Sequence, residues 1–431
     1  MTYGSSSVLK SSFLKICFSI SVCILIFFIS FLAFLFLNPE DIYGEADKAA
    51  YNDEIDIEAE SAVILEYDTG NILWGKNYSK SMHPASTTKM MSSIIAIENI
   101  DDLDEIVKIP KNASGRNHSI FRFRTGDKIS LLDLIKSSLI CSHNNATIAL
   151  AEHVSGSVED FVKLMNAKAA ELNTKNTFFQ NTSGLDDESA DHKSTALDLA
   201  IIAGYCMKNE LFREIVSTRE DIIIINDKEI GITNTNDLLS FDYIKGIKTG
   251  YTTNAGFCIV LYSEKDDLKL ITVILNNSSV DERNKDALKI INWAYNNLKY
   301  IKVVDSTQKA ATAAAVGNTE LYLDLYPETD YVELLNVAES KVEIKPNIYS
   351  NIDLPVKKEE ILGSLNVFLN GQKIKEINMI SLESVGDDYI YQELSAEEEL
   401  KTRLIIISLL VFYFLIILFI IVRNLFIKKI A

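Results

Sequence analysis

The pattern most suited to chemistry in this chain is a serine followed three positions later by a lysine. On a helix this spacing puts both side chains on one face, where the amine can accept the hydroxyl proton. The chain contains the pattern four times, as Ser7/Lys10, Ser12/Lys15, Ser86/Lys89 and Ser306/Lys309. Ser86 begins an apolar helical pattern, and the partial positive charge at a helix N-terminus favours a developing alkoxide. Ser86 is therefore the candidate nucleophile with Lys89 as its base, and an ordinary helix cap is the alternative.

Two further polar triplets can complete such a site. Ser142-His143-Asn144 follows a long apolar helical pattern, and Lys248-Thr249-Gly250 ends a predicted strand. Ser-x-Asn occurs a second time, at Ser364-Leu365-Asn366, whereas Lys-Thr-Gly occurs once. The three elements are separated by 56 and 106 residues, counted between their first residues. Their combination in this order is far more specific than any one of them.

The ordered triplets resemble the penicillin-recognising serine enzymes. Longer stretches are similar to the low-molecular-weight D-alanyl-D-alanine carboxypeptidases, and they span about 60–260: HPASTTKMM, TGDKISLLDLIKSSLICSHNNA, FVKLMNAKAAELNTKNTFFQNTSGLDD and YIKGIKTGYTTNAGFCIV. The resemblance implies an α/β (α+β) serine DD-peptidase domain of the β-lactamase type, with an antiparallel sheet and helices. It also implies a peptidoglycan stem peptide as substrate, β-lactam antibiotics as covalent inhibitors, and no metal or organic cofactor.

The same resemblance implies catalysis through an acyl-enzyme. Ser86 attacks the carbonyl of the penultimate D-Ala, the terminal D-Ala leaves, and water hydrolyses the acyl-enzyme. Lys89, with a pKa lowered by burial and neighbouring cations, acts as the base. The residues implied to be catalytic are Ser86, Lys89 and Ser142, and those implied to bind substrate are Asn144, Lys248, Thr249, Gly250, Tyr251 and Arg283.

Each implied role has a physical reason. Ser142, Asn144 and Lys248 orient Lys89, bind the substrate amide and pass a proton to the leaving amine. The backbone N–H groups of Ser86 and Tyr251 form an oxyanion hole. Lys248 and Thr249 face the terminal carboxylate of the substrate. Arg283 matches the family's carboxylate-reading arginine, and a solvated helix residue is an equal interpretation of it.

The chain departs from the family pattern beside the second triplet. His143 stands where the family often has Gly or Ala, and Asn145 stands where it often has Asp. We therefore expect the mouth of the pocket to differ in shape or charge. Cys141 is either a buried packing residue or an oxidisable neighbour of the site.

The elements that must position these residues segregate along the chain. A hairpin is predicted at 61–75, with helices at about 86–100, 130–151, 158–173 and 195–216. Strands are predicted at 220–230, 243–251, 255–263 and 268–276, and a closing helix at 281–298. This order favours an antiparallel sheet with helices packed against it over a doubly wound nucleotide-binding fold.

The predicted domain organisation places a catalytic domain at 58–300, after a linker at 38–57. An alanine-rich linker at 301–319 precedes a small all-β domain at 320–392, in which Asn370-Gly371 is a hairpin turn. The β segment is similar to the domain appended to the catalytic domain in the family.

Uncharged stretches at the two ends predict membrane segments. Residues 16–37 lack a charge and are long enough to cross a hydrocarbon core of roughly 30 Å, so 1–37 is a signal peptide or an uncleaved anchor. Residues 404–422 form the second predicted span, and the basic tail 423–431 is predicted to be cytoplasmic. The catalytic domain then lies on the extracytoplasmic face of the cell membrane.

The formal charge of −18 disfavours a nucleic-acid partner. Because residues 1–37 carry +2 and 401–431 carry +5, the part between them carries −25. Outside the apolar ends, Cys141, Cys206 and Cys258 form no CxxC pattern, which disfavours a zinc site and a disulfide framework.

Other activities share the three elements. A β-lactamase needs a base for rapid deacylation, and Ala169 stands where the class A pattern has its glutamate. A DD-endopeptidase or transpeptidase differs only in the leaving group or the acyl acceptor. A non-catalytic penicillin-binding sensor is disfavoured because both predicted cytoplasmic ends are short.

Overall fold

Two compact units, Met1–Asn296 and Asn297–Ala431, make up the chain. The computed structural model describes residues 51, 54–115, 121–186, 191–314, 322–350, 352–385, 404, 406 and 407. The predicted segment 16–37, and 404–422 apart from three residues, lie outside this part of the chain. Within it, no helix is both long enough and apolar enough to cross a membrane.

A five-stranded antiparallel sheet forms the centre of the first unit. Its order is β2-β1-β9-β8-β7, with β1 Ser61–Glu66, β2 Ile72–Lys76, β7 Ile244–Thr252, β8 Gly256–Lys265 and β9 Leu268–Asn277. Successive side chains point to opposite faces of a strand, and both Ile259 and Val260 of β8 are fully buried. The sheet is therefore covered on both faces, which explains why its strands read as nearly continuous apolar runs.

Seven helices surround this sheet in the described part of the first unit. They are α1 Lys89–Asn99, α2 Leu131–Leu139, α3 Asn144–Ser155, α4 Val158–Glu171, α5 Ala196–Cys206, α6 Glu210–Ser217 and α7 Val280–Asn297. The side chains of Ser130, Ser157, Thr195 and Asn209 each accept a hydrogen bond from a backbone N–H in the first turn of α2, α4, α5 and α6. Such caps satisfy N–H groups that the helix itself leaves free, and so define where these helices begin.

The helix boundaries correct two sequence predictions. The predicted helix 130–151 is two helices, α2 and α3, because Ser142 between them has a left-handed φ of 60°. The predicted helix 195–216 is also two helices, with the break at the Asn209 cap. The segment predicted as one strand at 220–230 is a hairpin of β5 Glu220–Ile225 and β6 Lys228–Thr233, which turns at Asn226 and Asp227, both of positive φ. With β3 Ile106–Lys108 and β4 Lys128–Ser130 it forms a sheet of order β3-β4-β5-β6.

The second unit is built from strands in its described residues. β10 Leu298–Val304 pairs with β13 Tyr331–Asn336. The other strands are β11 Ala311–Ala314, β12 Tyr322–Pro327, β14 Val342–Ile348, β15 Ile361–Leu369 and β16 Gln372–Ser381. These five form a sheet of order β11-β12-β16-β15-β14. The predicted hairpin turn is confirmed, since Asn370 and Gly371 join β15 to β16 with φ values of 50° and 85°. The stretch predicted as a linker, 301–319, contains β11 and most of β10, because its alanines pair with β12 and bury Ala313.

We expect Asn209→Ala to lower the free energy of unfolding of the first unit by about 1 kcal/mol, because the Phe212 N–H then loses its acceptor. Urea unfolding followed by circular dichroism measures this change. Asn209→Ser retains an acceptor and is the matched control. Equal stability of wild type and Asn209→Ala would show that the cap contributes nothing.

Candidate active site

The predicted nucleophile lies in a tight turn that leads directly into a largely buried helix. Ser86 belongs to a 3-10 turn, Ala85–Thr88, and is half-buried, while α1 begins at the next residue, Lys89. Ala85 has a left-handed φ of 49°, and the Thr87 hydroxyl donates to the Pro84 carbonyl at 2.6 Å. The structure therefore holds Ser86 at the N-terminal end of α1, as its position before an apolar helical pattern predicts.

Two glycines let other segments pack directly against this turn. A Cβ at Gly184, whose φ is 76°, would lie 1.7 Å from the Ala85 carbonyl oxygen. A Cβ at Gly250 in β7 would lie 2.9 Å from the Ser86 nitrogen and 3.0 Å from the Ala85 Cβ. Real Cβ atoms do not approach other atoms so closely, so only glycine allows the loop before residue 186 and strand β7 to meet the nucleophile turn.

Lys89 is fully buried and lies at the centre of a polar network. Its Nζ is 2.7 Å from Ser86 Oγ, and it donates to Asn144 Oδ1 at 2.7 Å and to the Ser183 carbonyl at 2.9 Å. Burial, and next the charge of Lys248, hold the pKa of Lys89 far below its ordinary value. A neutral amine has two hydrogens, which the amide and the carbonyl accept, so its lone pair is free to face the Ser86 hydroxyl.

The second triplet occupies the break between α2 and α3. Ser142 is half-buried in its left-handed conformation, and Asn144 opens α3 with its amide oxygen on Lys89. The His143 N–H donates to the Ser137 carbonyl at 2.9 Å, which ties the break back to α2. The structure thus brings Asn144 to Lys89 directly and places Ser142 two residues before it, in the connection between α2 and α3.

The third triplet lies on β7, the edge strand beside the turn. Lys248 is almost fully buried, and its Nζ donates to the Thr249 carbonyl at 2.9 Å. Burial lowers its pKa to about 7, with a further lowering from Arg283 and an opposing effect of Cys141. The Thr249 hydroxyl lies 2.6 Å from that of Thr235. The Tyr251 side chain is 57% exposed and its ring packs 4.4 Å from that of Phe257.

Arg283 is not a solvated helix residue, because it is only 3% exposed. It lies in the first turn of α7, and its guanidinium donates to Asn284 Oδ1 at 3.1 and 2.8 Å. Burial lowers its pKa, and its charge acts on Lys248. Among the described residues, none of Lys89, Lys248 and Arg283 forms an ion pair with a carboxylate. Asp237 acts on Arg283 through its charge without forming an ion pair with it. The positive charges of Lys248 and Arg283, with no carboxylate in ion-pair contact, make this site attractive to an anionic ligand.

Three residues that contact the site were not predicted from the sequence. Ser183 contributes a backbone carbonyl to Lys89, and Thr235 meets Thr249. His192 is buried; its Nδ1 accepts from the Gln180 N–H at 3.1 Å, so its Nε2 carries the proton and donates to Thr88 Oγ1 at 2.9 Å. Ser183 lies within a stretch that carries the family resemblance, but no residue type announces a backbone carbonyl.

The residues that depart from the family pattern are buried. Cys141 packs with its thiol 3.2 Å from the Ser137 carbonyl, and burial raises its pKa to about 11, as expected for a packing residue. His143 is fully buried, stacks on Phe121 and packs at a tilt against Phe123, with ring centroids 4.6 and 4.4 Å away. Burial lowers the pKa of His143 to about 4, so its ring is neutral at neutral pH. No cluster of metal-ligating side chains occurs among the residues that the structure describes.

Two family models match the chain. Residues 46–279 match the family model described as D-alanyl-D-alanine carboxypeptidase (peptidase S11), and residues 299–387 match the model for the C-terminal domain of penicillin-binding protein 5. D-alanyl-D-alanine carboxypeptidase DacF of Bacillus subtilis is 32% identical over 75% of this chain and 85% of that protein. DacD of Escherichia coli is 27% identical over 79% and 90% of the two chains.

A solved structure is similar as well. Penicillin-binding protein 5 from Haemophilus influenzae superposes with a TM-score of 0.59 and 26% identity, covering 78% of this chain and 100% of the other. The likeness therefore extends over both folded units.

We expect Gly250→Ala to slow covalent labelling by a fluorescent penicillin by about 10- to 100-fold, since the new Cβ must displace β7 or the nucleophile turn. Gly204→Ala is the matched control, because a Cβ there meets nothing within 4 Å and alanine favours the α5 helix. Wild-type labelling of Gly250→Ala would mean that the close contact between strand and turn has no catalytic importance.

Proposed function

The chain belongs to the peptidase S11 family of D-alanyl-D-alanine carboxypeptidases, and we propose how its residues carry out that reaction. It is a serine-type, penicillin-binding D-Ala-D-Ala carboxypeptidase. The observation that carries the proposed mechanism is the 2.7 Å approach of a fully buried lysine amine to the hydroxyl of Ser86.

Acylation begins at Ser86. Its Oγ forms a bond to the carbonyl carbon of the penultimate D-Ala, and its proton passes to the neutral Lys89 amine. The bond to the terminal D-Ala nitrogen then breaks, and the leaving amine takes up a proton through the network of Lys89 and Ser142. Water completes the cycle by hydrolysing the ester on Ser86, which releases the shortened peptide and restores the hydroxyl.

The developing oxyanion is stabilised by the backbone N–H groups of Ser86 and Tyr251. Gly250 supports this assignment, because its lack of a side chain lets β7 run beside the Ser86 nitrogen. One such donor contributes roughly 2.7–4 kcal/mol to lowering the barrier. A β-lactam follows the same route as far as the acyl-enzyme and then remains on Ser86.

The terminal carboxylate of the substrate is read by Lys248, Thr249 and Arg283. Support comes from the charges of Lys248 and Arg283, which are buried and form no ion pair with a carboxylate among the described residues. An incoming carboxylate replaces the hydrogen bonds that the buried cations have lost to water. Binding it there places the scissile bond over Ser86. Asn144, which also holds Lys89, is the residue proposed to bind the substrate amide.

We further propose that the enzyme acts at the outer face of the cell membrane, with the uncharged segments 16–37 and 404–422 as anchors. The length of both segments and the basic residues that follow the second support this arrangement. The strand-rich second unit then precedes the C-terminal anchor, in a position to hold the catalytic unit at a working distance from the lipid.

The activity is tested with the enzyme and a peptide that ends in Lys-D-Ala-D-Ala, by measuring free D-Ala. We expect release by wild type and by Ser81→Ala, an exposed serine five positions before the nucleophile, and none by Ser86→Ala. Release that persists in Ser86→Ala would remove Ser86 as nucleophile. Penicillin labelling of the wild type without D-Ala release would instead indicate a peptidase that acts on cross-links.

The two lysines predict a bell-shaped pH profile of kcat/KM for the peptide. The acid limb rises as Lys89 loses its proton, because only the neutral amine accepts the serine proton. The alkaline limb falls above about pH 7 as Lys248 loses the charge that faces the substrate carboxylate. In Lys248→Arg the charge persists, so the alkaline limb should move to higher pH. An alkaline limb that stays in place would exclude Lys248 as its origin.

A further inference from the structure

A cluster of positive charge lies on the connection between β3 and β4, in an otherwise acidic chain. We call residues 108–115 and 121–128 the basic arm. It contains Lys108, Lys111, Arg122, Arg124 and Lys128, all exposed, and one acidic residue, Asp127. Residues 38–400 carry a net charge of −25, so the positive charge of the basic arm is opposite in sign to the charge of the segment that contains it.

The charges of the basic arm are not neutralised by its surroundings. Asp127 is already engaged, because it accepts from the Arg124 backbone N–H at 2.7 Å and from Asn226 Nδ2 at 2.7 Å. The ion pairs among the described residues include none from the basic arm. Lys108 stands directly opposite Lys128 in the ladder of β3 and β4. Like charges at such a position repel each other, and an anion between them would relieve that repulsion.

The basic arm is fastened to the catalytic segment by aromatic packing. Phe121 and Phe123 alternate with the exposed Arg122 and Arg124, so the two phenyl rings face inward. They pack against His143, whose Nε2 lies 3.1 Å from the Phe121 carbonyl. His143 stands between Ser142 and Asn144. This contact therefore holds the backbone of residues 121–123 beside the second triplet, with Arg122 and Arg124 on the solvent-facing side of the two rings.

We propose that the basic arm binds carboxylates of the stem peptide that precede the D-Ala-D-Ala terminus. This inference rests on the proposed function, since it extends the recognition of that same substrate. The site is cationic at its centre and the basic arm continues the positive field outward from it, which suits a peptide that carries negative charges at its end and along its length. His143 positions the arm and does not touch the substrate.

Two peptides that differ in one group test the proposal with the full-length enzyme in detergent. They are N-acetyl-Ala-Glu-Lys-D-Ala-D-Ala and its Gln counterpart, and D-Ala release gives kcat/KM for each. The variant is Lys111→Gln with Arg124→Gln, whose side chains are exposed and form no hydrogen bond or ion pair with the described residues. The matched control is Lys163→Gln with Lys208→Gln, which removes the same charge from exposed helical or helix-end positions of the same unit.

We expect wild type and control to favour the Glu peptide by about 3- to 10-fold at low ionic strength, and the arm variant to lose that preference while hydrolysing the Gln peptide normally. Salt should reduce the wild-type preference, because exposed charges are screened over about 10 Å at 0.1 M. An equal preference in wild type and arm variant overturns the proposal. Stronger inhibition of the wild type by inorganic polyphosphate would then show only that the basic arm binds anions in general, and the proposal would still be overturned. Failure of wild type to release D-Ala from either peptide would contradict the proposed function itself.

Discussion

The catalytic unit depends on the burial of one amine. An ammonium removed from water is strongly disfavoured, so Lys89 is held as a neutral base by its surroundings and not by a carboxylate. Its polar atoms still require partners, and these come from three separate segments: the nucleophile turn, the start of α3 and the loop that contains Ser183. The sheet and helices must bring these segments together around a single nitrogen. The close contact at Gly184 brings the loop that contains Ser183 to the nucleophile turn, and the contact at Gly250 adds strand β7 beside them.

Much of this arrangement could be predicted from residue types. The three triplets identified residues of the nucleophile turn, of the connection between α2 and α3 and of strand β7, and apolar runs located most of the strands. The break itself was missed, because hydrophobic periodicity continues from α2 into α3 and does not register the positive φ of Ser142. The carbonyl of Ser183 was missed for a different reason: every residue has one, so its role depends on where the fold places it. Arg283 was ambiguous because a charged residue near the start of a helix is usually exposed, and its burial is decided by contacts distant in sequence.

His143 shows how a departure from a family pattern can be absorbed without disturbing the chemistry. A bulky ring inside the second triplet could have filled the pocket, but it is buried against Phe121 and Phe123, which also contact each other. One ring nitrogen contacts a backbone carbonyl and the other has no partner among the described residues. Burial in this apolar environment is the main cause of the lowered pKa of His143, and the nearby Lys89 lowers it further. The histidine therefore links the second triplet to Phe121 and Phe123 and leaves Ser142 and Asn144 in place.

The glycine contacts around Ser86 also limit how this enzyme can evolve under antibiotic selection. At Gly184 and Gly250 the backbone packs directly against the nucleophile turn, so neither position can carry a side chain that would exclude a drug or admit a different substrate. Variation that alters drug recognition must instead occur where side chains border the opening, as at the exposed ring of Tyr251. The innermost part of the site is thus nearly closed to adaptive change, while its rim is open to it.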